Sequence, residues 1–420
     1  MITAPPTHLT LHQHFVTLAL IPPTATPAMQ PLTPRLGFYF AVLQCFFALC
    51  WVVYVIYLPQ LAARAGIPKS WILWILVVDQ LVFTLVDWWM GARADRASRV
   101  FGRLSARIAL LTLVSALAFA MLPLTTDGGP VTLLLLIGIW TITSSALRAP
   151  PLMLIGKYAG AHAKPWLNAS WLFGTGVAGA LAPYLASHLR NIDPVLPFLL
   201  ASVAVALTAW AVGWAERHLS MEASPASPPP VKPLPLGLFL LTVLLASLGF
   251  QIHFSVNTVP QYLRFASPSE LGQLMPVFWV GFNLALFPLS WALRRQGDYA
   301  VLVIGTVAGG LAILATTITP TLNLLIAAQL LAGAGWAAVM FAAFGLCQAL
   351  GHTGREGYAA GGLFSMFAAA ALIRTLLIAT QWNQDPAVQE HLQHLPTVLW
   401  AMAAVVLIFA VRQHTRPGTA

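Results

Sequence analysis

Hydrophobic residues in this chain are grouped into long runs that are separated by short polar segments. A helix needs about 20 apolar residues to cross the hydrocarbon core of a bilayer, and these runs are close to that length. They are continuously apolar instead of alternating, which is typical of membrane helices and not of membrane β-strands. We predict twelve transmembrane helices at residues 38–60, 70–90, 108–124, 131–150, 166–188, 194–214, 237–259, 271–293, 300–319, 322–348, 357–380 and 395–412.

The longest polar segment lies between the sixth and seventh runs. It is rich in Pro and Ser from Glu222 to Pro235, a composition that cannot continue a helix and that indicates a solvated linker. The six runs on either side occupy nearly equal lengths of chain, which favours two duplicated halves. We therefore predict a flexible tail at 1–36, a six-helix half at 37–214, a linker at 215–236, a second six-helix half at 237–412 and a tail at 413–420.

The composition strengthens this prediction. The chain is 59% hydrophobic and only 8% charged, whereas soluble globular proteins are about 25% charged. These values exclude an ordinary cytosolic enzyme, a disordered protein and a disulfide-rich secreted module. The cysteines, Cys45, Cys50 and Cys347, all fall within apolar runs, so we interpret them as small buried hydrophobic residues without metal-ligand spacing.

The net charge of +9 is explained by the placement of the basic residues. With both termini in the cytoplasm, sixteen Lys and Arg fall in cytoplasmic segments and four on the opposite side, as the positive-inside rule requires. We therefore predict an all-α, multi-pass protein of a bacterial-type cytoplasmic (inner) membrane, with both termini inside. No aromatic and basic patch lies outside the apolar runs, so we expect no nucleic-acid partner, and we expect no cofactor or metal.

The segment after the second run carries a recognisable motif. Gly91, Asp95, Arg96 and Arg99 stand in it at the spacing of the pattern Gly-x-x-x-Asp-Arg/Lys-x-Gly-Arg/Lys-Arg/Lys, which resembles the signature between helices 2 and 3 of the major facilitator superfamily. Ser98 replaces the second glycine of that pattern, and Val100 replaces its last basic residue. The sequence therefore resembles that superfamily, and the resemblance implies its twelve-helix fold for residues 38–412.

The resemblance also implies two halves that rock around a central site, with the motif as a cytoplasmic gate. In the superfamily the motif aspartate, here Asp95, meets the start of helix 11, here residues 355–360, and closes the cytoplasmic side in the outward-open state. From the residues alone, Gly91 permits a tight exit from helix 2, and Asp95 suits a helix N-terminus or a guanidinium. A solvated loop that only sets the topology is the alternative.

A second resemblance concerns the fifth run. Its small residues and proline are similar to the glycine-and-proline motif of exporters in the superfamily, and they are Gly174, Gly176, Gly179 and Pro183. Small residues at this spacing also occur wherever two membrane helices approach closely. Close helix packing is therefore the alternative to the exporter interpretation.

Asp79 lies near the middle of the second predicted span, and Arg374 lies inside the eleventh. A charge at the centre of a membrane helix costs about 2.5–3.5 kcal/mol on insertion scales, so such residues usually face a cavity or a partner. Helices 2 and 11 face each other in the superfamily, and the two depths, counted from the outer helix ends, differ by about 4–5 Å. We predict a charge pair across the halves that breaks when Asp79 is protonated. A static pair that only neutralises two buried charges is the alternative.

Two stripes of side chains are candidates for the wall of the central cavity. One lies on the first run at helical spacing, and the other lies on the seventh run, where polar residues recur every four positions along one helix face. Helix packing is the alternative for the first stripe, and hydrogen-bonded packing is the alternative for the second. The substrate-cavity candidates are Gln44, Trp51, Tyr54, His253, Asn257 and Gln261.

Together these predictions favour a monomeric secondary transporter that moves a small molecule by alternating access, coupled to protons and leaning towards export of an amphipathic compound. The sequence contains no Gly-x-x-x-x-Gly-Lys-Ser/Thr motif, so the chain carries no ATP motor of that type. A metabolite uptake symporter on the same fold is the first alternative, and a non-transporting sensor is another. An integral membrane transferase is a further alternative, with Glu390, His391 and His394 as candidates for its chemistry.

Overall fold

The structure is a computed structural model that describes residues 33–101, 105–210, 214–215, 218, 235–351 and 355–415. Within these ranges the regular secondary structure is entirely helical. Residues 1–32 of the predicted N-terminal tail, most of the predicted linker and residues 416–420 of the predicted C-terminal tail lie outside the described part of the chain.

The prediction of twelve transmembrane helices is confirmed. Nine segments of the described residues are long and apolar enough to span a membrane. The remaining three are the shorter apolar helices α3 and α6 and the glycine-rich helix α5. The helices are α1 Thr33–Arg64, α2 Ile72–Phe101, α3 Ser105–Met121, α4 Gly129–Ala146, α5 Lys164–His188, α6 Val195–Trp210, α7 Leu236–Ile252, α8 Pro276–Gln296, α9 Asp298–Ile318, α10 Leu322–Gly351, α11 Glu356–Ala379 and α12 Pro386–Thr415.

Several helices extend beyond the predicted apolar runs, because hydropathy marks only the part of a helix that lies in hydrocarbon. Helix α2 continues to Phe101, so the motif is helical as far as that residue and Gly91 lies within a helix. The prediction that Gly91 permits a helix exit is therefore wrong. Helix α12 begins at Pro386, before its apolar run, and a short helix, Pro150–Tyr158, follows α4.

Helix α7 is interrupted in a way that the sequence did not predict. Residues His253–Asn257 form a π-helical turn, after which the chain returns to α-helix at Thr258–Leu263. A π turn accommodates one extra residue and is frequent at functional sites. The Thr258 hydroxyl donates a hydrogen bond to the His253 carbonyl oxygen (2.9 Å), so this backbone carbonyl of the π turn has a side-chain donor.

The twelve helices pack as two groups of six. In the first group α1 packs against α5 and α6, and α3 packs against α4 and α6. In the second group α10 packs against α8 and α9, and α12 packs against α7 and α9. The groups meet where α2 packs along α11 and where α5 packs along α8. These two contacts enclose the space in which the candidate site lies.

Candidate functional site

A central cavity of about 510 Å³ lies between the two groups of helices. Ligand cavities in proteins usually measure about 300–1,000 Å³, so this one has the size of a small-molecule site. Its wall is mainly aromatic. The aromatic lining residues are Phe47, Trp51, Phe83, Phe119, Trp140, Trp171, Phe250, Phe254, Trp279, Trp336, Phe344, Phe364 and Phe367.

The polar part of the wall is small and carries positive charge. Four amide or threonine side chains lie in it, with a few serines, and two arginines provide the charge. Among the described residues, no Asp or Glu lines this cavity. The principal polar lining residues are Gln44, Gln80, Arg148, Thr175, Gln251 and Arg374.

Gln44 is held in one orientation by two hydrogen bonds to helix α5. Its amide nitrogen donates to the Thr175 hydroxyl (3.0 Å), and its carbonyl oxygen accepts from the Trp171 indole (2.6 Å). The predicted cavity residues Gln44 and Trp51 therefore lie in the wall. Tyr54, the third predicted residue of that stripe, is fully buried and lies outside the wall.

Asp79 is bound within the first group of helices. Its carboxylate accepts hydrogen bonds from the Tyr54 hydroxyl on α1 (2.7 Å) and from the Thr141 hydroxyl on α4 (2.9 Å). The Tyr54 ring in turn contacts the cavity residue Trp140, with 4.7 Å between ring centroids. Asp79 therefore lies one side chain behind the cavity wall.

The predicted salt bridge between Asp79 and Arg374 is absent from this structure. Helix α11 packs on α2 with Gly361 against the Asp87 carbonyl group. This contact sets the relative depth of the two helices, and that depth cannot be obtained by counting from the helix ends. Counted from that contact, Arg374 lies about 7–8 Å further along the helix axis than Asp79. Asp79 also faces α1 and α4, whereas Arg374 faces the cavity.

A second buried carboxylate, Asp87, forms an ion pair that the sequence analysis missed. Its side chain is 1% exposed and accepts from Arg148 Nη1 at 3.0 Å, while the Ser145 hydroxyl donates to its other oxygen. The Arg148 guanidinium also lies 5.0 Å from the Phe83 ring centroid and 5.4 Å from that of Phe364. Arg148 is one of the sixteen basic residues that the sequence analysis assigned to cytoplasmic segments, and the structure places it in the cavity wall.

His253, Asn257 and Gln261 do not line the cavity, contrary to the sequence-based prediction, because other helices supply partners for them. His253 hydrogen-bonds Gln329 on α10 (3.0 Å), and Gln329 donates onward to Gln261 (3.2 Å). Asn257 donates to the Leu392 carbonyl oxygen on α12 (2.8 Å). All three are buried inside the second group of helices. The residues of α7 and of the π turn after it that do reach the cavity are Ser247, Phe250, Gln251 and Phe254.

The motif residue Asp95 joins the two groups of helices at the side assigned to the cytoplasm. Its carboxylate accepts from the backbone N–H groups of Gly357 (2.6 Å) and Tyr358 (2.9 Å) in the first turn of α11. A carboxylate is stabilised there by the unpaired N–H groups and the helix dipole. This is the contact that the family resemblance implies for Asp95. The side chains of Arg96 and Arg99 lie outside the described part of the structure.

Close backbone contact between α2 and α11 surrounds Asp95. A Cβ atom on Gly91 would overlap the Gly357 carbonyl group, and one on Gly361 would overlap the Asp87 carbonyl oxygen. Gly357 and Gly361 are four residues apart, the spacing of small residues that lets membrane helices touch along their backbones. Gly91 therefore allows α2 and α11 to approach each other closely.

A second link across the same side was not predicted. Asn168 on α5 and Gln348 on α10 exchange two amide hydrogen bonds of 3.0 Å each, and both side chains are buried. The Gln348 amide also lies 3.4 Å from the Leu152 carbonyl oxygen in the short helix after α4. Two amides near the cytoplasmic ends of apolar runs are the only sequence signal for this link, and they do not identify each other.

The glycines of α5 allow close packing. A Cβ atom on Gly174 would overlap the Ala41 carbonyl group of α1, and one on Gly179 would approach the Trp279 ring of α8. Gly176 faces Asn283 of α8 in the same way. Their positions support the packing interpretation of this motif.

We predict that Asp95→Asn slows transport without changing expression. The substitution removes the charge that binds the N-terminus of α11, an interaction of about 0.3–2 kcal/mol, and weakens two charge-assisted hydrogen bonds. The cytoplasm-closed arrangement should therefore become less populated. Initial rates in vesicles containing equal amounts of variant and wild-type protein measure this, and Asp193→Asn, at an exposed carboxylate, is the control. An unchanged rate for Asp95→Asn would contradict a gating role.

The fold has counterparts among solved structures, although no protein-family profile and no curated protein matches the sequence. It is the major facilitator superfamily transporter fold, and the chain is a multi-pass integral membrane protein. Its similarity extends over nearly the whole chain in each structure described below.

One similar structure is a bacterial homologue of the iron transporter ferroportin in an outward-facing state, with 14% identity, a TM-score of 0.68, and coverage of 90% of this chain and 100% of that chain. Another is the proton:xylose symporter XylE bound to 6-bromo-6-deoxy-D-glucose, with 12% identity, a TM-score of 0.62, and coverage of 90% and 94%. A third is the E. coli fucose:proton symporter FucP, with 11% identity, a TM-score of 0.64, and coverage of 89% and 98%. At these identities the likeness concerns the fold.

Proposed function

We propose that this protein is a secondary active transporter of a bacterial-type cytoplasmic membrane, which moves an amphipathic organic compound by alternating access. The observation that carries the proposal is the central cavity, which is walled by both groups of helices. Near its cytoplasmic side the groups are joined by Asp95 and by the pair Asn168 and Gln348. Hydrogen bonds of this kind can break and re-form in each cycle.

We propose that the substrate is largely apolar and that the direction of transport is export. Two of the similar structures are named as sugar:proton symporters, and a sugar needs many hydrogen-bonding partners. The cavity here offers thirteen aromatic side chains and few polar ones, which suits an amphipathic compound. Such compounds enter the bilayer unaided, so active transport is needed chiefly to remove them. Two arginines in the wall also disfavour a metal cation as cargo.

We propose that Asp79 is the proton-coupling residue. An ionised carboxylate only accepts hydrogen bonds, but a protonated one also donates, so uptake of a proton would require the Tyr54 or Thr141 hydroxyl to turn. Tyr54 contacts Trp140 and Trp51 of the cavity wall. Protonation of Asp79 would thereby change the packing of the wall against a bound substrate.

Flux through the purified protein tests the proposed function. Proteoliposomes would be loaded in turn with an anionic, a neutral and a cationic amphipathic fluorescent dye, and release would be followed after a pH gradient is imposed. We expect faster release of at least one dye than from protein-free liposomes. Gradient-driven accumulation instead of release would favour the uptake symporter, and rates equal to those of protein-free liposomes for all three dyes would contradict transport of this class of compound.

We predict that Asp79→Asn abolishes transport driven by a pH gradient but leaves substrate exchange intact. Asn cannot take up a proton, although its amide can still accept from Tyr54 or Thr141. Exchange of labelled for unlabelled substrate needs only the movement of the loaded carrier. Gradient-driven transport by Asp79→Asn would contradict the coupling role, and Thr141→Val, which keeps the carboxyl group, is the control for local packing.

A further inference from the structure

Arg374 is a cation of the cavity wall that has no partner among the described residues. It lies on α11 and lines the cavity, and it makes no hydrogen bond or ion pair with any described residue. Its Nε atom is buried without a hydrogen-bond acceptor. A guanidinium inside a membrane protein is costly and is usually paired with another group. The partner of Arg374 therefore has to come from outside the described chain.

The other charges of the cavity strengthen this argument. Arg148 is the second arginine of the wall, but Asp87 binds it at 3.0 Å. Asp79 is occupied by Tyr54 and Thr141 and does not line the cavity. Because no described carboxylate faces the cavity, one positive charge remains uncompensated there. The cavity is therefore electrostatically complementary to a single negative charge.

The side chains next to Arg374 on the same face of α11 indicate what the uncharged part of such a ligand would be. Ala371, Ala368, Phe367 and Phe364 follow Arg374 along one helix face, and all of them line the cavity. The alanines leave space next to the guanidinium, and the phenylalanines continue into the aromatic wall. A ligand with its charged group at Arg374 would place an apolar body against these side chains.

We propose that the cavity binds an amphipathic organic monoanion, with its aromatic or alicyclic body among the aromatic side chains and its carboxylate, or an equivalent oxyanion, on the Arg374 guanidinium. The planar guanidinium can donate two parallel hydrogen bonds to such a group. This inference rests on the proposed function and names the class of its substrate. The phosphate group of an anionic lipid shares the chemistry of the charged group, so the test has to distinguish the two sources.

Binding of three probes that share a biphenyl body tests the proposal. They are biphenyl-4-carboxylate, biphenyl-4-carboxamide and biphenyl-4-ylmethylammonium, titrated calorimetrically into the protein in nanodiscs of zwitterionic lipid. We expect the carboxylate to bind about 10- to 100-fold more tightly than the amide, and the ammonium to bind most weakly. In Arg374→Gln the carboxylate should bind no better than the amide. Arg374→Lys keeps the charge but not the two parallel donors of the guanidinium. Its preference for the carboxylate over the amide should lie between the preferences of the wild-type protein and Arg374→Gln.

Arg190→Gln is the matched control, because it makes the same substitution at an exposed arginine. It should leave all three affinities unchanged. Equal binding of the three probes to the wild-type protein, or an unchanged preference for the carboxylate in Arg374→Gln, would overturn the proposal. So would loss of carboxylate binding when anionic lipid is added to the nanodiscs, since lipid would then be the natural ligand of Arg374.

The probe series on the wild-type protein tests the inference even if Arg374→Gln fails to fold. It also separates this inference from the proposed function. Selective carboxylate binding without any flux in proteoliposomes would support the monoanion site and contradict transport. Flux of only neutral or cationic dyes would support transport and contradict the monoanion site.

Discussion

Replacement of Asp87 with Asn is expected to lower the free energy of unfolding by about 3–5 kcal/mol, because it removes one partner of a buried ion pair. The Asp87 side chain is 1% exposed and that of Arg148 is 24% exposed. Without the carboxylate, the Phe83 and Phe364 rings are the contacts that remain for the Arg148 guanidinium within the described part of the chain. Equilibrium unfolding in detergent, with SDS as denaturant, measures the loss.

The double variant Asp87→Asn with Arg148→Met separates loss of the ion pair from loss of packing. When both charges are removed, no uncompensated cation remains, and most of the lost stability should return. The chain also contains a matched control in the pair of Arg64 and Asp193, whose atoms are 3.8 Å apart and whose side chains are 40% and 62% exposed. Asp193→Asn should change stability by less than about 1 kcal/mol. Equal stability of Asp87→Asn and the double variant would show that the charge of Arg148 needs no partner.

The ion pair of Asp87 and Arg148 could not be predicted from the sequence, whereas the number of helices could. The number of helices follows from hydropathy, because the thickness of the bilayer sets a length that every span has to reach. An arginine near the end of an apolar run, such as Arg148, looks the same whether it sets topology or binds a carboxylate 61 residues away. The available signal was Asp87, an acidic residue at the corresponding end of another span.

Predicting which residues line the candidate site requires the rotation and register of each helix, and neither follows from hydropathy. Gln44 and Trp51 line the cavity, and α1 is continuous through both residues. His253 and Gln261 do not, because α7 contains a π turn and because Gln329 of α10 binds both side chains. Arg374 was correctly recognised as unusual, but its predicted partner faces other helices.

The contact of α2 with α11 also depends on glycines that are visible in the sequence, but their role as contact residues could be assigned only from the structure. Gly91 belongs to the recognised motif, but Gly357 and Gly361 had no assigned role. Together they bring two backbones into contact beside Asp95. In the alternating-access function proposed above, this contact closes the cytoplasmic side, so a substitution there should act on the equilibrium between the two states.

Gly361→Ala is expected to shift the protein strongly away from the cytoplasm-closed state. The added methyl group would overlap the Asp87 carbonyl oxygen, which belongs to a helix backbone and cannot rotate away. Overpacking of this kind costs about 1–3 kcal/mol, which corresponds to a change of about 5- to 150-fold in the ratio of the two states. Helices α2 and α11 would have to separate, and Asp95 would lose its contact with Gly357.

The change can be measured as a distance between the two halves on the cytoplasmic side. Cysteines at the exposed positions Lys157 and Arg294, in a variant that lacks the three native cysteines, would carry spin labels. In Gly361→Ala the longer distances should gain population. Gly362→Ala is the control, since its Cβ would meet only Leu240 side-chain atoms at 3.4 and 3.5 Å while helix propensity changes equally. If both variants shift the distances equally, helix propensity is responsible; a shift in Gly361→Ala alone locates the closing contact at Gly361.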